Sequence, residues 1–402
     1  MSEEMFAERM GNVHRSFIRE ILKVTADPSI ISFAGGLPNP ELFPSDELAK
    51  TAEKVLSGKG TRDASSSLQY STTEGDPLLR EYIAERYRKN KGLDVSADDI
   101  VITTGSQQCL DIISKVFLNK GDKVLIERPG YLGAIQAMSF FEPEFLTVGL
   151  ESDGPNLKEL EEQLAKGVKL FYTVPNFQNP SGLTYSEEKR KAVAELVEKS
   201  GALYIEDDPY GELRFKGEHK SPLFKYLSTR GILLGSFSKV AAPGFRIGWL
   251  VVKQDEFGRT MREKLVIAKQ AADLHTSTFA QRVVQQYVED NDLDAHIAKI
   301  CDRYGSQRDV MVEAIREHFP KNVDVTEPEG GMFLWATMPE GNKAMDLFDI
   351  AIKQKVAFVP GTPFYVDDAG SNTFRLNYSN ASPENIREGI KRLGESLHEF
   401  LS

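Results

Sequence analysis

Between residues 98 and 252 short apolar runs alternate with stretches of helical pattern, and this alternation limits the possible folds more than any other feature. Asp99-Ile-Val-Ile-Thr-Thr, Asp122-Lys-Val-Leu-Ile-Glu, Leu170-Phe-Tyr-Thr-Val, Ala202-Leu-Tyr-Ile-Glu-Asp and Gly231-Ile-Leu-Leu-Gly-Ser read as buried strands. Between them lie Gln108 to Leu118, with Leu110, Ile113 and Phe117 inward, and Glu187 to Ser200, with Val193, Leu196 and Val197 on one face and Gly201 past its end. The pattern predicts an α/β fold with a mostly parallel sheet covered by helices on both faces. Ligands of such sheets bind beyond the carboxyl ends of the strands.

That rule gathers a set of candidates, because Ser106, Gln107, Tyr131, Asn179, Asp207, Tyr210, Ser236 and Lys239 all fall at or just beyond strand ends. The turn Gly105-Ser106-Gln107 opens a helix, so its free N–H groups and the positive end of the helix dipole can seat an anion. Many strand-to-helix turns look the same. Tyr131 follows Arg128-Pro-Gly and either stacks on a flat ring or packs ordinarily. Asn179-Pro-Ser-Gly is sound turn chemistry in its own right. A carboxylate at Asp207 can keep a pyridine nitrogen protonated, whereas Glu206 and Asp208 read equally as a solvated acidic loop.

The most specific stretch is Gly235-Ser236-Phe-Ser238-Lys239, with Arg246 seven residues past the lysine. A lysine just past a strand end is placed to lose solvent, which depresses its pKa and makes the amine a nucleophile. Ser236 and Ser238 can each donate one hydrogen bond, and Arg246 can grip a phosphate with two. An amine able to form a Schiff base beside a phosphate clamp suits pyridoxal 5′-phosphate (PLP). A surface loop with an ordinary lysine is the alternative, and it leaves the other strand-end residues unexplained.

The flanking segments add less. Residues 12–25 have a helical stripe of Phe17, Ile18, Ile21 and Leu22, with Arg15, Arg19 and Lys23 on another face. Ile31-Ser-Phe-Ala-Gly35-Gly36-Leu-Pro reads as a short strand before a glycine pair, which permits close approach to a ligand or a plain turn. Tyr70 lies in a polar loop. After Val252 the chain is helical to about residue 316. Beyond that, Val323-Asp-Val-Thr, Gly330 to Trp335 and Thr373 to Tyr378 look like strands of a smaller α+β unit. Ser382 and Pro383 are N-cap and first residue of a final helix striped by Ile386, Ile390, Leu393, Leu397 and Phe400. Arg375 points opposite to Phe374 and Leu376 on its strand, as a carboxylate receptor or as half of a structural ion pair. A chain of 402 residues exceeds one simple core. We expect a large domain at 46–288 and a small one built from 1–45 and 289–402.

The net charge of −11 argues against a general binder of nucleic acid or anionic membrane, so any anionic ligand must be held by local basic groups. Two cysteines, Cys109 and Cys301, make no disulfide framework and fit a reducing cytoplasm. The charged start of the chain has no secretory pattern, and no apolar run is long enough to span a bilayer. Six scattered histidines suggest no metal site. Dinucleotide, P-loop, zinc-protease and serine-hydrolase signatures are missing from the sequence.

Ile31-Ser-Phe-Ala-Gly-Gly-Leu-Pro, Thr104-Gly-Ser-Gln-Gln, Gln178-Asn-Pro-Ser-Gly, Asp207-x-x-Tyr210, Gly235-Ser-Phe-Ser-Lys and Phe374-Arg-Leu occur in that order. Together they resemble the PLP-dependent aminotransferases of fold type I, over nearly the whole chain. The likeness is greatest to the 2-aminoadipate, kynurenine and broad-specificity subgroup. The resemblance implies that Lys239 forms the Schiff base with PLP and shuttles a proton. Asp207 pairs with the ring nitrogen. Asn179 and Tyr210 bond its phenolic oxygen, and Tyr131 stacks on the ring. Ser106, Gln107, Ser236, Ser238 and Arg246 hold the phosphate. Tyr70 reaches the phosphate of a neighbouring subunit in a homodimer. Arg375 with Asn179 grips the substrate α-carboxylate. Gly36 lies by the substrate, and Arg19 meets a distal carboxylate or makes a structural salt bridge. The implied reaction moves an amino group from an L-amino acid to a 2-oxo acid such as 2-oxoglutarate. A carbon–sulfur β-lyase on the same fold is the runner-up. A transcription regulator with an aminotransferase-like region is more remote, since the pattern begins near residue 15 with no room for a DNA-binding domain before it.

Overall fold

Residues 5–12, 21, 27–367 and 369–402 are described by the computed structural model. The helix expected at 12–25, with Arg15, Arg19 and Lys23, lies outside the described residues apart from Asn12 and the buried Ile21.

A short strand, β1 (Ile31–Ser32), precedes the eight strands of the central sheet. These are β2 (Ile100–Thr104), β3 (Lys123–Arg128), β4 (Glu144–Glu151), β5 (Gly154–Pro155), β6 (Leu170–Thr173), β7 (Leu203–Asp207), β8 (Gly231–Ser236) and β9 (Ile247–Val252). Their order across the sheet is β2-β9-β8-β7-β6-β3-β4-β5. The run β4, β3, β6, β7, β8 is parallel, as the strand–helix alternation predicts. β9 runs antiparallel to both β2 and β8. Only ten residues separate the end of β8 from the start of β9, too few for a helical crossover, so the chain must turn back. β4 was not anticipated, because its residues are mostly half-buried and its sequence lacks the uniformly apolar pattern of the inner strands.

Every residue of β6, β7 and β8 is buried. Successive side chains point to opposite faces, so such strands need cover on both. The register shows the two faces directly. Leu125, Phe171 and Tyr204 align across β3, β6 and β7 and pack against Val193 and Val197 of the helix Glu187–Ser200. Ile126, Tyr172 and Ile205 align on the other side, in the core that holds Leu110 and Ile113 of the helix Ser106–Phe117. That second helix starts two residues earlier than its apolar pattern suggests, because Gly105 takes φ +72° and turns the chain at the end of β2.

A second, antiparallel sheet has the order β10-β11-β14-β13, from β10 (Asp324–Val325), β11 (Phe333–Thr337), β13 (Val359–Pro360) and β14 (Thr373–Asn377). Its helices are Leu293–His318 and Pro383–Leu401; Ser382 caps the latter by accepting from Asn385 N–H. Ile386, Ile390, Leu393 and Leu397 are all buried, as their spacing requires. β1 pairs in parallel with β12 (Val356–Ala357), so the glycine pair after β1 is anchored to C-terminal structure. Among the described residues no helix is long and apolar enough to cross a membrane.

Gly235 of β8 faces Trp249 of β9, and a Cβ at 235 would lie 2.4 Å from the indole. Gly235→Ala should therefore cost about 1–3 kcal/mol through overpacking. The check is a urea denaturation midpoint, and an unchanged midpoint would mean that the indole has room to move.

Candidate active site

A cavity of about 410 Å³ opens where β2, β6, β7 and β8 end, roofed by Gly36, Leu37 and Arg375. Gly36, Ser106, Gln107, Tyr131, Asn179, Asp207, Tyr210, Ser236, Ser238, Lys239, Arg246 and Arg375 all line it. Two expected residues do not appear in the lining. Tyr70 is 78% exposed, with only His275 as a ring neighbour at 5.8 Å, and Arg19 lies outside the described residues.

Asp207 closes β7, where both faces are covered. Its Oδ2 accepts from Tyr172 Oη at 2.8 Å, while Oδ1 is buried with no partner among the described residues. Burial pushes this carboxyl up to about 7; the Tyr172 bond opposes the rise and Asp208 adds to it. A buried acceptor without a donor is costly. A protonated ring nitrogen would supply both the donor and the opposite charge.

Lys239 stands three residues past β8, and its Nζ donates to the Gly36 carbonyl at 2.9 Å. Burial, with the nearby guanidinium groups of Arg375 and Arg246, lowers its pKa to about 8. Much of the amine is thus neutral near that pH and free to attack a carbonyl.

Arg246 adopts φ +53° at the end of the turn Pro243–Phe245. Its Nη1 donates to Pro243 O at 3.3 Å and reaches Ser238 Oγ at 3.5 Å. A Cβ on Gly105 would lie 2.2 Å from Nη2, so the missing side chain lets the guanidinium lie over the start of the helix Ser106–Phe117. Gly248 allows the same closeness from below, since its Cβ would meet Ser106 N at 2.6 Å. Ser236 Oγ donates to Ser238 Oγ at 2.8 Å and accepts from Ser238 N–H at 3.0 Å. Helix N-terminus, hydroxyls and guanidinium converge as an anion cradle. The Gln107 side chain is already engaged, donating to Gly133 O at 2.7 Å, so Gln107 contributes to the cradle through its backbone.

Arg375 is 2% exposed. Nη1 donates to Asn179 Oδ1 at 2.7 Å and Nη2 to Ala34 O at 3.0 Å, and Nε has no partner among the described residues. Its guanidinium lies 4.3 Å from the Phe333 ring centre and 5.2 Å from that of Phe364. Burial lowers its pKa to about 10. Its described partners are an amide and a carbonyl rather than a carboxylate, so the structural ion pair finds no counterpart among the described residues. Asn179 Nδ2 also reaches Tyr210 Oη at 3.5 Å. Burial and the nearby Asp207 push the Tyr131 hydroxyl up to about 12.

The solvated acidic loop is corrected at Glu206, which is wholly buried. It accepts from Leu223 and Phe224 N–H and lies 3.7 Å from Arg190, because β7 leaves neither face open. Asp208 is half-buried and accepts from Asn176 and Gly211. Sequence reasoning missed Tyr172. Its signal was a tyrosine inside an apolar strand, whose hydroxyl needs a buried partner.

Three cations and one carboxylate line this cavity in a chain of net charge −11. The unpartnered Asp207 oxygen, the desolvated amine and the anion cradle fit PLP, whose ring nitrogen, aldehyde and phosphate they match. Fold and cofactor define the class, a PLP-dependent enzyme of fold type I. The family model for aminotransferase class I and II matches residues 34–393; the chain belongs to that family and is an aminotransferase. It is 44% identical over 404 residues to aromatic-amino-acid aminotransferase 1 of Thermococcus litoralis, covering 99% of this chain and 95% of the relative. With the 2-aminoadipate transaminase of Thermus thermophilus it shares 42% identity over 405 residues, covering 99% and 98%. Pyrococcus horikoshii kynurenine aminotransferase, solved in complex with PMP, superposes with a TM-score of 0.93 at 42% identity, covering 100% of this chain and 98% of that one. These similarities do not favour the β-lyase reading.

Asp207→Asn should lower turnover by about 100-fold, the worth of one charge-assisted hydrogen bond. The same change should stabilise the apoprotein. The folded carboxyl titrates near 7 and an unfolded one near its ordinary value, so its contribution to stability is present at low pH and lost as pH rises through 7. The apo variant should melt above wild type at about pH 8, with a gap that narrows as pH falls through 7. Gly105→Ala should weaken PLP binding about tenfold or more by displacing Arg246. Titration of the apoprotein with PLP, compared with phosphate-free pyridoxal, reads that loss as specific to the phosphate.

Proposed function

We propose that this aminotransferase moves the amino group of an L-amino acid with an aromatic, 2-aminoadipate, branched or glutamate-type side chain to a 2-oxo acid such as 2-oxoglutarate. The two half-reactions alternate at one site. The observation that carries the reading is Arg375, a buried guanidinium on the wall of the cavity that holds Lys239, whose Nε has no partner among the described residues. A carboxylate is the group that such a guanidinium binds with two parallel hydrogen bonds. The names of the relatives, acting on aromatic amino acids, 2-aminoadipate and kynurenine, support the choice of donors.

In this reading Arg375 and Asn179 fix the α-carboxylate, which places the substrate Cα beside Lys239. Bound PLP supplies the electron sink that makes the Cα proton acidic. Lys239, about half neutral near pH 8, takes that proton and later returns it. Asp207 keeps the ring nitrogen charged. Asn179 and Tyr210 bond the phenolic oxygen, and Tyr131 packs on the ring. Ser106, Gln107, Ser236, Ser238 and Arg246 hold the phosphate. Gly36, whose carbonyl accepts from Lys239, lies on the segment that faces the substrate. Arg19 meets a distal carboxylate. Tyr70, exposed beside the exposed Leu68, reaches the phosphate of a second copy in a homodimer. The large domain spans 46–288 and closes against the unit made from 1–45 and 289–402. The free, buried thiols of Cys109 and Cys301 suit a cytoplasmic location.

Single amino acids added without any oxo acid should bleach the visible band of bound cofactor, and the order of bleaching ranks the donors. Arg375→Met should raise the KM for the donor about 100-fold. A variant with the wild-type KM would remove Arg375 from the carboxylate site.

A further inference from the structure

Behind the cavity wall lies a buried carboxylate with no role so far. Glu127, the last residue but one of β3, is 1% exposed. Its Oε1 accepts from Tyr185 Oη at 2.6 Å. Its Oε2 accepts from Gln178 Nε2 at 2.9 Å and from Val174 N–H at 3.2 Å. The same Gln178 nitrogen donates to Pro129 O at 2.6 Å, and Gln178 Oε1 accepts from Ser181 N–H at 2.9 Å. One fully buried amide therefore joins the segment after β3 to the loop after β6. The first segment carries Tyr131 and the second carries Asn179, and both side chains line the cavity. The loop itself is tight, with Gly182 N–H donating to Gln178 O at 2.7 Å and Gln178 N–H to Leu183 O at 2.9 Å.

Three donors converge on a carboxylate that burial penalises, pushing its pKa up to about 7. Such a group is costly to keep and damaging to break. We propose that Glu127 and Gln178 are positioning residues for substrate binding. They lock the Asn179 loop to the Tyr131 segment, so that Asn179 presents its oxygen to Arg375 and holds the guanidinium ready for the α-carboxylate. Tyr185 satisfies the carboxylate without joining the two segments. The inference rests on the reading of Arg375 as carboxylate receptor.

The test compares holoenzyme variants. Gln178→Met keeps the volume and removes both bridging bonds; Glu127→Met keeps the length and removes the acceptor of the Gln178 and Val174 bonds. Each should raise the donor KM and the dissociation constant of glutarate, an unreactive carboxylate, about tenfold, with kcat within about threefold and the visible cofactor band retained. Tyr185→Phe should lower the melting temperature while leaving KM and glutarate binding at wild-type values. The proposal is overturned if Gln178→Met and Glu127→Met bind glutarate like wild type, or if Tyr185→Phe weakens binding as much as they do. Arg375→Met separates the two ideas: if it too binds glutarate like wild type, the carboxylate-receptor reading fails first.

Discussion

The hydrogen bond from Lys239 to the Gly36 carbonyl ties the central sheet to the segment that follows the β1–β12 pair. Lys239 belongs to the turn after β8 of the central sheet, and Gly36 follows β1, which pairs with β12. Ser379 Oγ, just past β14, donates to the Leu37 carbonyl and fastens the same segment from the other side. The amine is thereby covered, and cover lowers its pKa. Arg375 and Arg246 add like charge from two directions. One arrangement thus covers the nucleophile, lowers its pKa and leaves two further cations to receive anions. The free energy that holds these like charges together comes from the folded frame, and a ligand with two anionic ends would relieve it.

Absence of side chains shapes the anion cradle as much as their presence. Gly105 and Gly248 bring β9, the helix start and the Arg246 guanidinium closer than any Cβ allows. The antiparallel course of β9 makes this possible, since it carries Gly248 back alongside Thr103 at the end of β2. An antiparallel strand therefore completes the anion cradle.

Much of this was legible in the sequence. Mostly apolar runs of five or six residues gave β6, β7 and β8, because a strand covered on both faces has no polar alternation. The helix Glu187–Ser200 and the final helix carry caps and stripes that fix their ends. The strand-end rule collected half of the cavity lining before any contact was known. What stayed hidden depends on pairings distant in sequence. Glu206 looks like part of an acidic loop until β7 is placed between β6 and β8 and Arg190 is brought over it. The Asp207–Tyr172 bond and the Glu127–Gln178 bridge each span more than thirty positions, and no local pattern marks them. Tyr70 could be named but not placed, because a single chain leaves it facing outward.

Lysine reactivity offers the sharpest trial of the account. Burial also lowers the pKa of Lys253 to about 8, and Lys269 is wholly buried and lowered as well, so a depressed pKa alone does not single out Lys239. What distinguishes Lys239 is its place among the cradle, Asp207 and Arg375. The direct measurement is to load the apoprotein with PLP, reduce with borohydride and map the phosphopyridoxyl label by peptide mass spectrometry. One label per chain, on Lys239, is the predicted result. Labelling of Lys253 or Lys269 in its place, or no stable label at all, would contradict the site described above.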